Sequence, residues 1–339
     1  MTFDSSVYTM VQQSARAFGA RHRAVFQAIE GGSAASFEPA LVQEVADLGW
    51  LSSFSDPDTS TDLQVESQLL AALVSELGQH SPALAVALLA HHLCRIVAVP
   101  SRETNTWFGL DSNVLDRRLA PTTSLCANKT EGQLTGSLGC VLGGTYASQW
   151  LTWSQLSDTS VSLVLVECGA ASVVQRVETL GLRGIGALKA AFAGVACERH
   201  RSIAVDHDAT TKLGVAHQFI VPGLLGLLSA LLRQTQQLAA DHAQHRRQNG
   251  RLLVEIPAVA EMLASIDRAL ALVHASERAY REPSTDAEML IDGVRSSTTR
   301  ATDAGLQVLG GAGYVVGHGL ERLWRDSRQA CQLLPRRAW

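Results

Sequence analysis

The sequence predicts a mostly helical α+β protein in which a central β domain separates two helical parts. Three observations lead to this prediction: apolar residues recur at helical spacing in the first third, alternate with a period of two in the middle, and return to helical spacing over long segments afterwards. We expect an N-terminal helical domain over residues 1–115, a central antiparallel β domain over 116–210 and a C-terminal bundle of the four-helix type over 211–339.

The first third is predicted to be a helical layer. Apolar residues at spacings of three and four predict helices over residues 7–18, 39–48, 63–77 and 82–97. Gly49, Gly78 and Pro100 follow these segments and are typical helix stops.

The middle of the chain carries short β-type runs. These runs lie around Leu134 and Val141 and over residues 150–153, 160–168 and 194–197. Gly136, Gly139, Gly143, Gly144, Gly169 and Gly181 separate them. Glycine between short alternating runs is typical of the turns of an antiparallel sheet.

Three long apolar segments follow, over residues 213–248, 256–281 and 285–309. Each has an apolar stripe wide enough to pack in a bundle. Asn249–Gly250 and Glu282–Pro283 separate the segments, because these dipeptides are turn formers.

Composition excludes several classes of function. The formal net charge of −4, from 28 basic and 32 acidic residues, argues against a nucleic-acid binder. The six cysteines show no CxxC or Cys/His spacing, which argues against a zinc site or a disulfide framework; they are Cys94, Cys126, Cys140, Cys168, Cys197 and Cys331. No long uninterrupted apolar run and no basic, then apolar, leader is present, so we expect a cytoplasmic protein without a membrane span.

A glycine-rich segment near the end of the chain matches the pattern QxxGGxGYxxxxxLxRxxRD. The matching residues are Gln307, Gly310, Gly311, Gly313, Tyr314, Leu320, Arg322, Arg325 and Asp326. A second segment, RRQNG, matches RxxFG at Arg246 and Gly250, with Asn249 in place of the aromatic residue. In this order, the two motifs resemble those of the acyl-CoA dehydrogenase family.

Weaker matches extend the resemblance over nearly the whole chain. They are ADLGW at residues 46–50, LTGSLGCVLGGTYASQWLTW at 134–153 and GLRG at 181–184. The resemblance implies the helical, β and helical-bundle architecture of that family, in agreement with the periodicity.

The resemblance also implies FAD as cofactor, held across a subunit interface. Arg246 would then contact the pyrophosphate, and the backbone of Gln307, Gly310 and Gly311 would lie against the adenine and pyrophosphate end of the cofactor. Two alternatives stay open at this point. The glycines can instead form the C-cap of the preceding helix, and Arg246 can be one arginine of a solvated helix face.

Two places in the family carry the carboxylate base that removes the α-proton of an acyl thioester. The first corresponds to a position near Leu334 and the second to a position near Ile220, and neither is acidic in this chain. His217 lies near the second place and is interpreted as a helix-end or interface histidine. No catalytic residue is therefore assigned.

Two further family segments are shortened here. The TEPxxGSD-like loop corresponds to CANKTEGQLTG at 126–136, and the WITN-type strand to GTYASQWLTW at 144–153. Together with the missing base, this pattern resembles the short subunits of heteromeric acyl-CoA dehydrogenases. It implies a longer partner that carries the catalytic Glu, in a heterotetramer acting on an acyl thioester. A homo-oligomeric flavoprotein with another chemistry and a flavin-free structural partner are the alternatives.

Two groups that contain histidines are further candidates for a metal or catalytic site. Asp241, His242 and His245 share one helix, where a solvated face is favoured over a metal site because no further ligand is indicated. His91 and His92 are interpreted as a helix surface or a cleft lining, without a catalytic role.

Overall fold

A computed structural model gives the fold of the chain. It describes residues 5–52, 63–98, 106–115, 121–128, 131–196, 199–281, 287–317 and 319–334. Pro100, Cys197 and the predicted Glu282–Pro283 break lie outside the described residues.

Five helices form the N-terminal part. They are α1 (Ser5–Arg21), α2 (Arg23–Glu30), α3 (Pro39–Asp47), α4 (Leu63–Gly78) and α5 (Pro82–Ala98). Pro39 and Pro82 stand at the first helical positions, where the missing N–H costs nothing. Helix α5 is buried over most of its length, which explains why nearly all its residues are apolar.

The middle of the chain folds into a twisted sheet of eight strands. They are β1 (Phe108–Asp111), β2 (Thr123–Asn128), β3 (Glu131–Leu142), β4 (Gln149–Ser157), β5 (Ser160–Glu167), β6 (Val173–Arg176), β7 (Leu188–Val195) and β8 (His200–Val205). The strand order is β6-β7-β3-β1-β4-β5-β8, and β2 pairs with both β3 and β4.

The sheet is mainly antiparallel, but two of its pairings are parallel. Strand β4 runs parallel to β1 and to β2 and antiparallel to β5. Strand β1 lies before the predicted domain limit at residue 116; the domain limits stay a prediction. The four residues of β1 are all buried and show no alternation, so the period-two pattern does not reveal this strand.

The C-terminal part is a bundle of helices α6 (Asp206–His245), α7 (Pro257–Arg281), α8 (Ala287–Leu309) and α9 (Leu320–Leu333). A small hairpin of β9 (Arg247–Gln248) and β10 (Arg251–Leu252) joins α6 to α7, and a 3-10 turn, Gly310–Tyr314, follows α8. The predicted mostly helical α+β architecture is confirmed.

Helices α6, α7 and α8 run up, down and up. The Ser229 hydroxyl of α6 lies 3.0 Å from the Nε2 of His274 in α7. At the other end, Gln236 contacts Asp267, so α6 and α7 are antiparallel. A Cβ added at Gly305 in α8 would lie 2.6 Å from Thr235 in α6. The C-terminal ends of α6 and α8 therefore lie at the same end of the bundle.

One continuous core unites all three parts. Helix α6 is long and apolar enough to span a membrane by length and composition, and 83% of that apolar window is buried inside the protein. Its apolar character is therefore explained by its central position, between α4, α5 and the rest of the bundle.

Candidate functional site

The two places predicted for a catalytic base meet at one small apolar cavity. Ile220 of α6 lines a cavity of about 10 Å³, and so does Leu333, the neighbour of Leu334. The described lining residues are all apolar: Val86, Leu89, Ala90, Leu110, Leu115, Leu142, Ile220, Leu224 and Leu333. None of these side chains can accept a proton, and most of them are leucines.

Leu334 itself is buried at the end of α9. Its carbonyl oxygen accepts a hydrogen bond from the Nη2 of Arg295 in α8 at 2.8 Å. The residue after α9 is thus held against α8, with an aliphatic side chain at the first predicted place.

His217 lies inside α6 rather than at its end. Its side chain is 2% exposed, and the ring Nδ1 lies 3.0 Å from the carbonyl oxygen of Leu213. Burial lowers the pKa of His217 to about 4. At neutral pH it is an uncharged core residue, so the predicted helix-end position is wrong.

His91 and His92 are fully buried, which corrects the surface interpretation. The Nε2 of His91 lies 2.9 Å from the carbonyl oxygen of Leu51. The Nδ1 of His91 accepts a hydrogen bond from the backbone amide of Phe108 at 3.1 Å. The Nε2 of His92 lies 2.9 Å from the carbonyl oxygen of Trp50. Both rings therefore join α5 to the chain after α3 and, through His91, to β1.

Asp241 and His245 pair with each other across one exposed turn of α6. The Nδ1 of His245 lies 3.3 Å from the Oδ1 of Asp241, and both side chains are about three-quarters exposed. No group of three or more metal-ligating side chains occurs among the residues that the structure describes.

The glycine-rich motif at residues 307–326 is called the closing motif below. Its glycines are explained by different structural features. Gly310 has a φ of 59°, a left-handed conformation that ends α8. A Cβ at Gly313 would lie 2.6 Å from the carbonyl oxygen of Leu306. A Cβ at Gly311 would meet no atom of the described residues within 4 Å, and its φ is not positive. The chain's own fold therefore explains Gly310 and Gly313 but not Gly311.

Gln307 is exposed and is tied to the same segment. Its Nε2 donates to the hydroxyl of Tyr314 at 2.6 Å, across the 3-10 turn that holds the glycines. Tyr314, Val315 and Val316 are 59%, 52% and 71% exposed. The turn is thus held in one shape while its outer surface carries large apolar groups that contact water.

Arg246 is the exposed C-cap residue of α6 and begins the hairpin. Asn249 and Gly250 have φ values of 51° and 80° at the two turn positions between β9 and β10. Two positive φ values in a two-residue loop define a type I′ turn, for which Asn-Gly is a preferred sequence. The turn therefore explains why Asn249 replaces the aromatic residue of the motif.

The hairpin and the glycine turn lie at the same end of the bundle. The hairpin follows α6, the turn follows α8, and these two helices are parallel. After the turn the chain returns to α6, since a Cβ at Gly319 would lie 3.4 Å from Leu238. The four predicted cofactor contacts, Arg246, Gln307, Gly310 and Gly311, are all exposed at this end. Their role stays a prediction.

Arg325 connects the three parts of the fold and is 7% exposed. It lies 2.7 Å from Glu321 of α9 and 3.5 Å from Glu30 of α2. Its Nη1 also donates to the carbonyl oxygen of Leu180, between β6 and β7, at 2.7 Å. Arg325 belongs to the glycine-rich motif at residues 307–326, but the motif alone gives it no role.

Asp326 is fully buried beside Arg325. Its Oδ1 accepts the amide hydrogen of Leu182 at 2.6 Å, and its Oδ2 accepts no hydrogen bond from the described residues. Burial, with a smaller contribution from the nearby Glu30 charge, raises the pKa of Asp326 to about 7. A Cβ at Gly181 would overlap the carbonyl of Arg325, so the GLRG turn packs directly on this pair.

The described residues of the segments corresponding to the flavin loop and strand lie in or next to β2, β3 and β4. Asn128 pairs with Glu131, so two residues connect β2 to β3. In the WLTW segment, the Thr152 hydroxyl donates to Asp111 at 2.8 Å and is buried. Burial raises the pKa of Asp111 to about 6. This hydroxyl is engaged within the chain.

Comparison with known proteins identifies the fold. Residues 210–330 match the family model of the acyl-CoA dehydrogenase C-terminal domain. A search of curated proteins found no match.

The solved structures extend the likeness over the whole chain. Acyl-CoA dehydrogenase from Geobacillus kaustophilus superposes with a TM-score of 0.78 at 14% identity, over 95% of this chain and 93% of that one. Butyryl-CoA dehydrogenase from Megasphaera elsdenii gives 0.74 at 16% identity, over 97% and 95%. The ChsE4–ChsE5 complex from Mycobacterium tuberculosis gives 0.71 at 17% identity, over 97% and 94%.

The resemblance to the acyl-CoA dehydrogenase family is therefore confirmed. Residues 210–330 match the model of its C-terminal domain, and the chain has the fold of its solved members. Members of this family are FAD-dependent oxidoreductases.

Proposed function

We propose that the chain is a cytoplasmic, acyl-CoA dehydrogenase-like subunit that completes an FAD site in a heteromeric flavoprotein. The complex would catalyse α,β-desaturation of an acyl thioester, and a longer homologous subunit would supply the catalytic Glu. The observation that carries the proposal is the apolar cavity, where Ile220 and Leu333 stand at or beside the two places of the base.

The same cavity argues against a complete site within this chain. Its volume of about 10 Å³ leaves room for about one water molecule, and leucines from α5, α6 and the sheet form part of its walls. An acyl thioester or a flavin ring needs several hundred Å³, so neither fits here without displacing these side chains. The cavity thus supports a role beside another subunit's site.

The end of the bundle that bears Arg246, in contrast to the small apolar cavity, has room for a ligand. Gly311 leaves open space at its Cα, and the Arg246 guanidinium is exposed. A backbone without a Cβ and an unburied arginine fit a dinucleotide that approaches from outside the chain. FAD, when bound, supplies the two-electron acceptor for the β-hydride. Arg246 would hold its phosphates, and Gly311 would leave room for them.

The ChsE4–ChsE5 relative is itself a complex of two components, which supports a heteromeric interpretation. The test is co-expression of this chain with a longer homologue that carries the base. We expect one purified assembly that binds FAD and reduces ferrocenium in the presence of an acyl-CoA. The chain alone should show neither property.

Two variants test the cofactor contacts within that assembly. Arg246→Ala should weaken FAD binding about ten- to a hundred-fold, as loss of a charge-assisted contact typically does. Gly311→Val should also lower the flavin content, because its side chain would occupy the space that the cofactor needs. Gly214→Val is the matched control, because a Cβ there also meets no described atom within 4 Å, but on the N-terminal half of α6.

The outcomes separate the alternatives. Turnover and bound flavin in the purified single chain would establish a homo-oligomeric flavoprotein instead. An assembly without flavin would indicate a structural partner. Full flavin content in both variants would show that the glycines are only a helix cap.

A further inference from the structure

The hairpin after α6 presents two arginines on one face. Arg251 pairs with Gln248 and Leu252 pairs with Arg247. The pairing continues beyond the strands, since the amide of Leu253 donates to the carbonyl oxygen of Arg246 at 2.9 Å. Side chains alternate between the faces of a strand, and paired residues share a face. Arg246, Gln248 and Arg251 therefore lie on one face.

Arg247 belongs to the opposite face and has a structural contact. Its Nη1 donates to the carbonyl oxygen of Gly250 at 3.0 Å, across the turn. The turn is already specified by the positive φ values of Asn249 and Gly250. The hairpin is thus a short rigid support, and the orientation of Arg251 relative to Arg246 is set by its register.

Two acidic groups near the hairpin have hydrogen-bond or ion-pair partners other than Arg246 and Arg251. The Oε2 of Glu255 accepts the amide hydrogen of Leu252 at 3.1 Å, and Asp241 pairs with His245. Arg246 and Arg251 are both exposed. Two guanidinium groups on one face form a site for a doubly charged anion, because each can donate a bidentate pair of hydrogen bonds to one phosphate.

We infer that Arg251 is a second phosphate-binding residue, which acts with Arg246 on the pyrophosphate of the dinucleotide. This inference rests on the proposed function and deepens it: the hairpin face Arg246–Gln248–Arg251 recognises the diphosphate as a unit, with one arginine for each phosphate. Arg247, on the other face, takes no part in binding and only closes the turn.

The experiment is a titration of the purified full chain with inorganic pyrophosphate, followed by NMR shifts of the hairpin amides. Arg246→Ala and Arg251→Ala should each weaken binding about ten-fold or more, and Arg247→Ala should leave the affinity within about two-fold. Arg251→Lys should keep part of the affinity, because it retains the charge but loses the planar pair of donors. Raising the salt concentration should weaken pyrophosphate binding more for the wild-type chain than for the Arg251→Ala variant.

The flavin content of the co-expressed assembly gives a second measurement, in which Arg251→Ala should resemble Arg246→Ala. If Arg246→Ala loses affinity and Arg251→Ala behaves like Arg247→Ala, this inference is wrong and the proposed function stands. If Arg246→Ala and Arg251→Ala both behave like Arg247→Ala, the proposed role of Arg246 in phosphate binding is wrong as well. Absence of pyrophosphate binding to the wild-type chain also overturns the inference.

Discussion

Asp326 should make the protein less stable as the pH rises. In the folded chain its pKa is raised from 3.8 to about 7 by burial and by the Glu30 charge. Between these two pH values the unfolded chain has lost its proton while the folded chain keeps it. Unfolding is then favoured by ~1.4 kcal/mol for each pH unit, on the order of 4 kcal/mol over the whole interval. Below and above the interval this contribution is constant.

Asp326→Asn removes the titration while preserving the shape of the side chain. The amide oxygen can still accept the hydrogen bond from Leu182, and Arg325 keeps its two glutamate partners. At about pH 4 the variant should be slightly less stable than wild type, because its buried NH₂ group adds donors. From about pH 4 to about pH 8, the free energy of unfolding of the variant should rise by a few kcal/mol relative to that of wild type.

The measurement is the free energy of unfolding in urea, for both proteins, at several pH values. Asp158→Asn is the control, because Asp158 is exposed in the turn between β4 and β5. Other carboxylates also titrate, so the quantity to follow is the difference between variant and wild type. A difference that stays constant from about pH 4 to about pH 8 would refute a neutral, buried Asp326.

Two further predictions concern the closing motif. Arg325→Met should lower the free energy of unfolding by about 3 kcal/mol or more, because it leaves the half-buried Glu30 and Glu321 without their cation, and urea unfolding would show it. Gly313→Ala should destabilise by about 2 kcal/mol, since its Cβ would lie 2.6 Å from a backbone oxygen of α8, whereas Gly311→Ala should be neutral. Equal thermal stability of the two alanine variants would contradict the packing argument.

The succession of helices, sheet and bundle could be predicted because hydrophobic periodicity and turn residues are local signals. Several helices end close to the predicted limits; α8, for example, ends at Leu309 as expected, whereas α6 begins at Asp206 and not at the predicted residue 213. Helix α2 was not predicted, because it has eight residues with only Phe26 and Ile29 buried. The parallel pairing of β4 with β1 also has no local signal, since it depends on which strands meet.

The roles of His91, His92 and Arg325 could not be predicted from the sequence. Each is a polar residue with at least one hydrogen-bond acceptor far away in the chain, such as Leu51 for His91 and Leu180 for Arg325. Residue type suggests a surface for all three, because buried histidine and arginine are uncommon. Their burial is possible only because the fold brings those acceptors to them.

The closing motif contains residues of two physical kinds, and the difference shows where an external partner belongs. Gly313 and Asp326 are explained by contacts within the chain, with Leu306 and Leu182. Gly311 has no such contact within the described residues, and Val316 exposes most of its surface to water. Exposed apolar side chains beside an unexplained glycine are typical of a surface that another molecule covers. This surface and the arginine face of the hairpin lie at one end of the bundle, so a single subunit can cover both.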